Sequence, residues 1–185
     1  MKKFLTIIGL LLLGLWLGAA IFFGAAVAPN LFNVLRGAGL ANASELAGSI
    51  VTRLLAIVNS GGFEISLFLI IVRYFADRNP GLLTRLVEMI SLAIMAIMTG
   101  ISQWVISARM VALRAAMQVP IDQVANSDPR RVAFDNLHRY SVDVFGVAMV
   151  AALVAFIVMA MTSVSSPTNR GPRANSTRGT VDREG

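Results

Sequence analysis

The stretch "FLTIIGLLLLGLWLGAAIFFGAAVA", residues 4–28, decides the fold class of this chain because it holds no charged side chain. A transmembrane helix needs roughly 20 mainly apolar residues, so we predict that this stretch crosses a membrane. It is longer than the apolar region of a signal peptide, roughly 7–15 residues, and Pro29 follows its small-residue "AVA". We therefore predict a retained span and not a cleaved signal.

Three further apolar stretches have the same character, at about residues 50–72, 86–106 and 142–162. Together with the first they predict an all-α integral membrane protein, a four-transmembrane-helix bundle over residues 1–162. The remaining residues, 163–185, are polar and rich in Pro, Gly and Ser. Such a composition cannot bury enough apolar surface to fold, so we predict a disordered basic C-terminal tail.

The composition of the whole chain agrees with a membrane protein. Hydrophobic residues make up 56% and charged residues 14%, against roughly 25% charged in soluble domains. The net charge is +6, but the basic residues flank apolar runs, which indicates contact with the lipid bilayer and not with nucleic acid. Cysteine is absent, which excludes disulfides, thiolate metal sites and a cysteine nucleophile.

Helix start signals lie outside the predicted membrane limits. Asn42 and Glu45 have the spacing of a capping box, while "NP" at 79–80 and "DP" at 128–129 each place a capping residue before a proline. We therefore expect helices to begin near Ala43, Pro80 and Pro129. The third and fourth helices should then project beyond the bilayer as an extended helical hairpin between spans 3 and 4.

The wet part of the fourth helix carries charges of alternating sign. Arg131, Asp135, Arg139 and Asp143 are spaced by four, so they share one helix face. We expect a ladder of ion pairs ending at the membrane interface.

Basic residues favour one orientation weakly. Nine lie on the side of the two termini and seven on the other side. We predict that both termini are cytoplasmic. The excess of arginine and alanine favours a bacterial protein, hence an inner (plasma) membrane location.

Polar residues inside the spans suggest a candidate site. Glu64 falls near the middle of the second span, where a carboxylate is costly and should face the bundle interior or water. Counted from the presumed outer surface, most other polar groups lie in the outer half of the bilayer. These groups predict an outward-facing polar vestibule that ends near Glu64 and could bind a small polar or cationic ligand or relay protons. Its candidate residues are Glu64, Asn59, Ser60, Arg53, Gln103, His138, Ser141 and Asp143.

Each of these residues also has a purely structural explanation. Asn59, Ser60 and Gln103 could simply hydrogen-bond between helices. Asp143 could be the end of the charge ladder, and the single histidine, His138, could be a hydrogen-bonded structural residue. For Glu64 the two explanations are balanced.

The residue inventory supports no cofactor. One histidine cannot supply bis-histidine haem ligation, and His138 has no neighbours at zinc-ligand spacing. Met95 and Met98 could bind Cu(I) as thioethers, but methionine is also an ordinary filler of apolar helices. We predict no metal and no cofactor. We find no phosphate loop, nucleophile elbow or paired catalytic acids, which does not exclude an enzyme but supports none.

A small-residue motif, "GLWLG" at Gly14 to Gly18, allows close helix approach. In a four-span protein internal packing explains it better than a dimer face, so a homo-oligomer is compatible with the sequence but has no support in it.

Four segments together resemble the transmembrane protein 205-like family of small four-span proteins, a domain of unknown function. They are "LWLGAAIFFGAAVAPNLF", "LAGSIVTRLL", "ISARMVALRAAM" and "FDNLHRYSVDVFG". The resemblance covers roughly Leu10 to Met161, and its most specific positions are Pro29, Gly48, His138 and Ser141. It implies a four-span fold in a membrane and supplies no substrate or catalytic residues.

Two functional hypotheses follow. The first is an accessory or scaffolding protein that binds other membrane proteins or lipids through its helices and hairpin. The alternative is a small ion- or solute-handling protein that uses the vestibule around Glu64.

Overall fold

The computed structural model describes residues 2–75 and 81–164, with side chains from residue 4 to residue 163. Four long helices run back and forth, and the described residues contain no strand. Two of the four are interrupted by a π-helical turn, which holds one extra residue per turn. The elements are α1 (Lys2–Phe22), a π turn (Phe23–Val27), α2 (Ala28–Gly37), α3 (Ala43–Phe75), α4 (Leu82–Gly100), a second π turn (Ile101–Ile106), α5 (Ser107–Met117), a 3₁₀ turn (Ile121–Gln123) and α6 (Pro129–Val164).

The predicted fold class is confirmed, because four helices are long and apolar enough to cross a membrane. Each predicted span lies within one of them. The predicted tail from residue 165 onward and the predicted helix start at Pro80 lie outside the described residues.

The projection beyond the bilayer is larger than predicted. The first helix does not end at Ala28 but continues to Gly37, so it is 34 residues or about 51 Å long. Pro29 is tolerated because it follows the first π turn and stands in the opening turn of α2. The Asn30 side chain donates to the carbonyl oxygen of Ala26 at 2.8 Å. At this end of the bundle, all four helices therefore continue beyond the predicted spans.

The main core joins α1, α3, α4 and α6. Alanines on α6 allow the neighbouring helices to approach closely, and large side chains such as Trp16 fill the remaining space. The indole Nε1 of Trp16 donates to the carbonyl oxygen of Val58 at 2.8 Å. The buried members are Leu13, Trp16, Ala20, Phe23, Leu69, Leu92, Met95, Phe145, Ala148, Ala151, Ala152, Ala155 and Met159.

The small-residue motif packs only in part. A Cβ at Gly14 would lie 3.4 Å from Phe156, but a Cβ at Gly18 would meet nothing within 4 Å. The tight positions lie elsewhere: a Cβ at Gly9 would lie 3.0 Å from the Sδ of Met159, and one at Gly62 would lie 2.7 Å from the Nε1 of Trp16. Gly18 is therefore not a close-packing position.

A second apolar cluster fills the projecting hairpin. It consists of Ile106, Met110, Met117, Ile121, Val124 and Phe134, drawn from the second π turn, α5, the connection and α6. The hairpin is thus a packed unit and not merely two helices that continue into water.

The helix starts at Ala43 and Pro129 are as predicted, but only one of them is capped as expected. Asp128 accepts the backbone N–H of Arg130 at 2.8 Å. The capping-box prediction for Glu45 is wrong, because its carboxylate accepts the N–H of Ile121 at 3.3 Å, across 76 residues of sequence. Glu45 itself is capped from a distance: its N–H donates to Asp122 at 3.0 Å.

The charge ladder is mostly absent. Arg131 Nε lies 4.0 Å from the carboxylate of Asp135. Among the described residues, Arg139 is within 4.0 Å of neither Asp135 nor Asp143, and all three of these side chains are exposed.

Candidate functional site: an apolar cavity with an arginine rim

A cavity of about 860 Å³ lies between α2, α3, α5 and α6, toward the end where all four helices project. Its walls are apolar over most of their length, with Val51 and Leu55 from α3 facing Phe145 and Met149 from α6. A cavity of this size is in the upper part of the range found for small-molecule sites, about 300–1,000 Å³.

Both π turns contribute to the cavity wall. The first supplies Phe23, Gly24 and Ala25, and the second supplies Ser102 and Gln103. A π turn shifts the helical register, so the residues beyond it face directions that a regular α-helix would not give them. These two interruptions help to set which side chains of the first and third spans line the cavity.

Three arginines, Arg36, Arg114 and Arg131, line the cavity at its projecting end, and we call them the arginine rim. The guanidinium of Arg36 stacks on Phe32, with its Cζ 5.5 Å from the ring centroid. The guanidinium of Arg114 stacks on Phe134 at 5.2 Å. These aromatic contacts hold two of the three cations in place.

The rim arginines differ in how far they are neutralised. Arg114 Nε lies 3.3 Å from Glu45 Oε1. Arg131 donates to the carbonyl oxygens of Ile121 and, at 3.0 Å, of Val124. Among the described residues, no carboxylate lies within 4.0 Å of Arg36. Arg36 is therefore the rim cation available to an incoming anion.

The hairpin is joined to the start of α3 by a polar clamp, which we define as Glu45, Arg114, Asp122 and Arg131. Burial of Asp122 by itself opposes ionisation. Hydrogen bonds from the Ser44 hydroxyl and from the backbone of Ser44 and Glu45, with the charge of Arg131, outweigh this and lower the pKa of the Asp122 carboxyl. The contacts of the clamp thus favour the ionised form of Asp122.

A second carboxylate near the rim is held ionised by one arginine. Arg130 donates to Asp128 through its side chain at 2.7 Å and through its backbone N–H. These bonds lower the pKa of Asp128 to about 2.

Polar groups also occur deep in the cavity, at what we call the acceptor floor: Asn59, Ser102 and Gln103. Asn59 is 1% exposed, and its Nδ2 donates to Ser102 Oγ at 2.8 Å. The oxygens Asn59 Oδ1 and Gln103 Oε1 are buried without a hydrogen-bond partner. Such orphaned acceptors are rare in folded proteins and call for an explanation.

The structure brings together half of the predicted vestibule residues. Four of them line the cavity: Asn59, Gln103, His138 and Ser141. Ser141 is buried and His138 is exposed.

The other four predicted residues, Glu64, Arg53, Ser60 and Asp143, do not line the cavity. Glu64 was expected to face the bundle interior or water; it does not face the interior, because its side chain is exposed on α3, as is that of Arg53. Asn59 points inward, and a residue five positions later on an α-helix falls on a different face at 100° per residue. Glu64 therefore does not end a vestibule.

Sequence analysis missed a buried ion pair elsewhere in the bundle. Arg73 Nε on α3 lies 2.6 Å from Glu88 Oε1 on α4, and Glu88 is only 3% exposed. The sequence does contain an indication of this pair, because each of the two residues is charged and lies close to the end of a predicted span. The arginine rim was not expected either, because only the packing of the helices shows that Arg36, Arg114 and Arg131 share a cavity.

The described residues contain no group of three or more His, Asp or Glu side chains placed to hold a metal ion. Met95 is fully buried in the main core and Met98 packs against that core. Both therefore have a packing role.

Comparison with known proteins yields one match. A family described as a domain of unknown function, DUF4149, matches residues 11–118, which is more than half of the chain. No curated protein and no solved structure matches. The matched region includes the acceptor floor and ends just beyond α5, before the cavity residues of α6.

Proposed function

The chain belongs to this family of unknown function, DUF4149, and from the geometry of its cavity we propose that it is a lipid-binding membrane protein. Its ligand is a single amphiphile with an anionic headgroup. The observation that carries the proposal is one cavity with long apolar walls and an arginine rim at one end.

The two ends of the cavity suit different parts of one molecule. The guanidinium of Arg114 reaches Gly48, because a Cβ at Gly48 would collide with it. Asn59 lies eleven residues further along α3, which corresponds to about 16 Å of helix. A ligand that spans this distance meets cations first and apolar walls afterwards. Guanidinium groups bind phosphate and carboxylate through charge-assisted hydrogen bonds.

The test measures binding of a fluorescent phosphatidylglycerol to the purified protein in mild detergent, with unlabelled phosphatidylcholine as the neutral competitor. We expect Arg36→Gln to weaken binding about tenfold, since a hydrogen bond to a charged group contributes about 1.5–3 kcal/mol. Arg139→Gln is the matched control, because Arg139 is exposed on α6 and does not line the cavity. Equal loss of affinity in Arg36→Gln and Arg139→Gln would contradict the proposal. Ready displacement of the fluorescent phosphatidylglycerol by phosphatidylcholine would contradict it too.

The wider role that fits lipid binding is that of an accessory or scaffolding protein for other membrane proteins. We place it in a bacterial inner membrane with both termini cytoplasmic, and we retain the resemblance to the transmembrane protein 205-like family as part of the proposal. The test is the composition of the tagged protein extracted gently from native membranes at native expression. A stoichiometric second polypeptide supports this role, and recovery of the chain with lipid alone argues against it.

Ion or solute handling around Glu64 is the less favoured function. Glu64 lies on the outer surface of α3 and outside the cavity lining. A change of Glu64→Gln should therefore leave lipid binding unchanged. Loss of a measured ion or solute flux in this variant, with lipid binding intact, would restore the alternative.

A further inference from the structure

We infer that the lipid bound in the cavity carries a hydrogen-bond donor, a hydroxyl or an amide N–H, within its apolar part, and that the acceptor floor binds this donor. The inference rests on the proposed function and narrows its ligand from anionic lipids in general to those with a polar group in the tail region.

The Asn59 side chain supplies the first acceptor. Its amide nitrogen is already used, since Nδ2 donates to Ser102 Oγ at 2.8 Å. Its oxygen, Oδ1, is buried, has no partner and belongs to a residue that lines the cavity. Leaving a buried polar group without a partner destabilises the protein, so a donor that enters the cavity and reaches Oδ1 removes that cost.

Gln103 supplies the second acceptor from the neighbouring third helix. Its Oε1 is also buried without a partner. Gln103 lies in the second π turn, directly after Ser102, so the same irregular turn both holds the Asn59 amide and presents a further carbonyl oxygen. Two oxygens without hydrogens accept from a hydroxyl or an N–H and repel an anionic group.

The distance between the arginine rim and the acceptor floor places the donor in the tail of the lipid and not in its headgroup. The acceptor floor lies eleven residues from the arginine rim along each wall, from Gly48 to Asn59 on α3 and from Gln103 to Arg114 on the third helix. Either path corresponds to about 16 Å. A headgroup held at Arg114 therefore cannot reach the floor, whereas an acyl or other apolar chain attached to it can.

The experiment compares two phosphatidylglycerols that differ only in a hydroxyl at the middle of one acyl chain. The wild-type protein should bind the hydroxylated lipid about two- to tenfold more tightly, because the added hydroxyl can donate one new hydrogen bond to a buried acceptor. Asn59→Leu and Gln103→Leu should each reduce this preference while retaining binding of the plain lipid, and the double variant should abolish it. Thr99→Val is the control: it removes a buried hydroxyl one turn away whose bond is to the helix's own Met95 carbonyl.

The outcomes separate this inference from the proposed function. Equal affinity of the wild type for the two lipids, with Arg36-dependent binding intact, would overturn the acceptor floor and leave the proposed function standing. A preference that survives in the double variant, which lacks both acceptors, would also overturn it. If neither lipid binds in an Arg36-dependent way, both proposals fail together.

Discussion

At the scale of single residues, the contact between Trp16 and Gly62 sets the distance between α1 and α3. The indole ring covers the α3 backbone at Gly62 and donates to the carbonyl oxygen of Val58 one turn earlier. Trp16 also packs edge-to-face against Phe145 on α6, with ring centroids 6.3 Å apart. One side chain thus links three of the four helices, and its position depends on the absence of a Cβ at Gly62.

Replacing Gly62 by alanine should destabilise the protein by about 1–3 kcal/mol, the usual cost of overpacking. The new Cβ would lie 2.7–2.9 Å from three atoms of the indole ring, so Trp16 must move and weaken its hydrogen bond to Val58. The measurement is thermal unfolding in detergent.

Gly61→Ala is the matched control for this prediction. A Cβ at Gly61 would meet nothing within 4 Å, and alanine favours a helix over glycine. We expect its unfolding temperature to be unchanged or raised. A Gly62→Ala protein as stable as Gly61→Ala would show that Trp16 is not held where the structure places it.

Of two polar residues that the sequence placed in one span, Asn59 lies inside the bundle and Glu64 is exposed, and one cause explains both positions. Both residues lie in the same span, and both were recognised as polar groups that lipid disfavours. The direction in which each points depends on the rotation of α3 about its axis. That rotation is set by Trp16, Gly62 and the other contacts between helices, and the sequence of α3 alone does not contain it.

At the scale of elements, the hairpin between α5 and α6 is joined to the start of α3 by the polar clamp. The N–H of Glu45 donates to Asp122, and the Glu45 carboxylate accepts the N–H of Ile121. The start of α3 and the 3₁₀ turn therefore satisfy each other's free backbone groups, which would otherwise need water.

Acid should release this docked hairpin. Folding lowers the pKa of Asp122 below its ordinary value of 3.8, so its contribution to stability is fully present above that pH and is lost as the pH falls through the lowered value. Spin labels on Ala41→Cys and Asn126→Cys report the docking. We expect a narrow distance distribution at about pH 6 that broadens below about pH 4.

The control for the acid effect is Asp122→Asn in the same labelled protein. Asparagine still accepts from Glu45 but does not titrate, so its distance distribution should broaden less on acidification. Identical broadening in the two proteins would assign the acid effect to other groups, such as Asp128.

Element boundaries illustrate what local signals can predict. Asp128 before Pro129 marked the start of α6 correctly, because the cap and the helix are adjacent in sequence. The capping-box prediction at Glu45 was wrong because the Glu45 carboxylate contacts Arg114 and Ile121, which lie in another part of the chain. The continuation of α2 beyond Pro29 was missed for a related reason, since a π turn leaves no simple pattern in hydropathy.

At the scale of the whole molecule, the four helices place the α2–α3 connection and the α5–α6 connection at one end. The start of α4 lies at the other end. The native chain contains no cysteine, so single cysteines can be placed without background labelling. We expect Ala41→Cys and Ala125→Cys to be labelled by a membrane-impermeant maleimide from the same side, and Gly81→Cys from the opposite side.

The predicted orientation also determines which of these cysteines is labelled in intact cells. If both termini are cytoplasmic, then Ala41→Cys and Ala125→Cys are labelled in intact cells and Gly81→Cys only after permeabilisation. Labelling of Ala41→Cys and Ala125→Cys from opposite sides would contradict the four-span arrangement itself.

The number of spans could be predicted from sequence because hydropathy is a property of each segment separately. The cavity could not, because it depends on where α2 lies relative to α5 and α6. Arg36, Asn59 and Arg131 are far apart in the chain, and nothing in their spacing shows that they line one space. Individual polar residues were therefore identified more reliably than the site that they form.

The distant cap on α3 has a consequence for the order of assembly during synthesis. Domains fold from the N-terminus as the chain emerges, yet Asp122, which caps Glu45, follows it by 77 residues. The second helix must therefore enter the bilayer with its leading end still unbound. That end is completed only after the third helix has been made and the connection behind it has returned to the same side. If the third span failed to cross the membrane, Asp122 would not reach Glu45. The start of the second span would then remain uncapped.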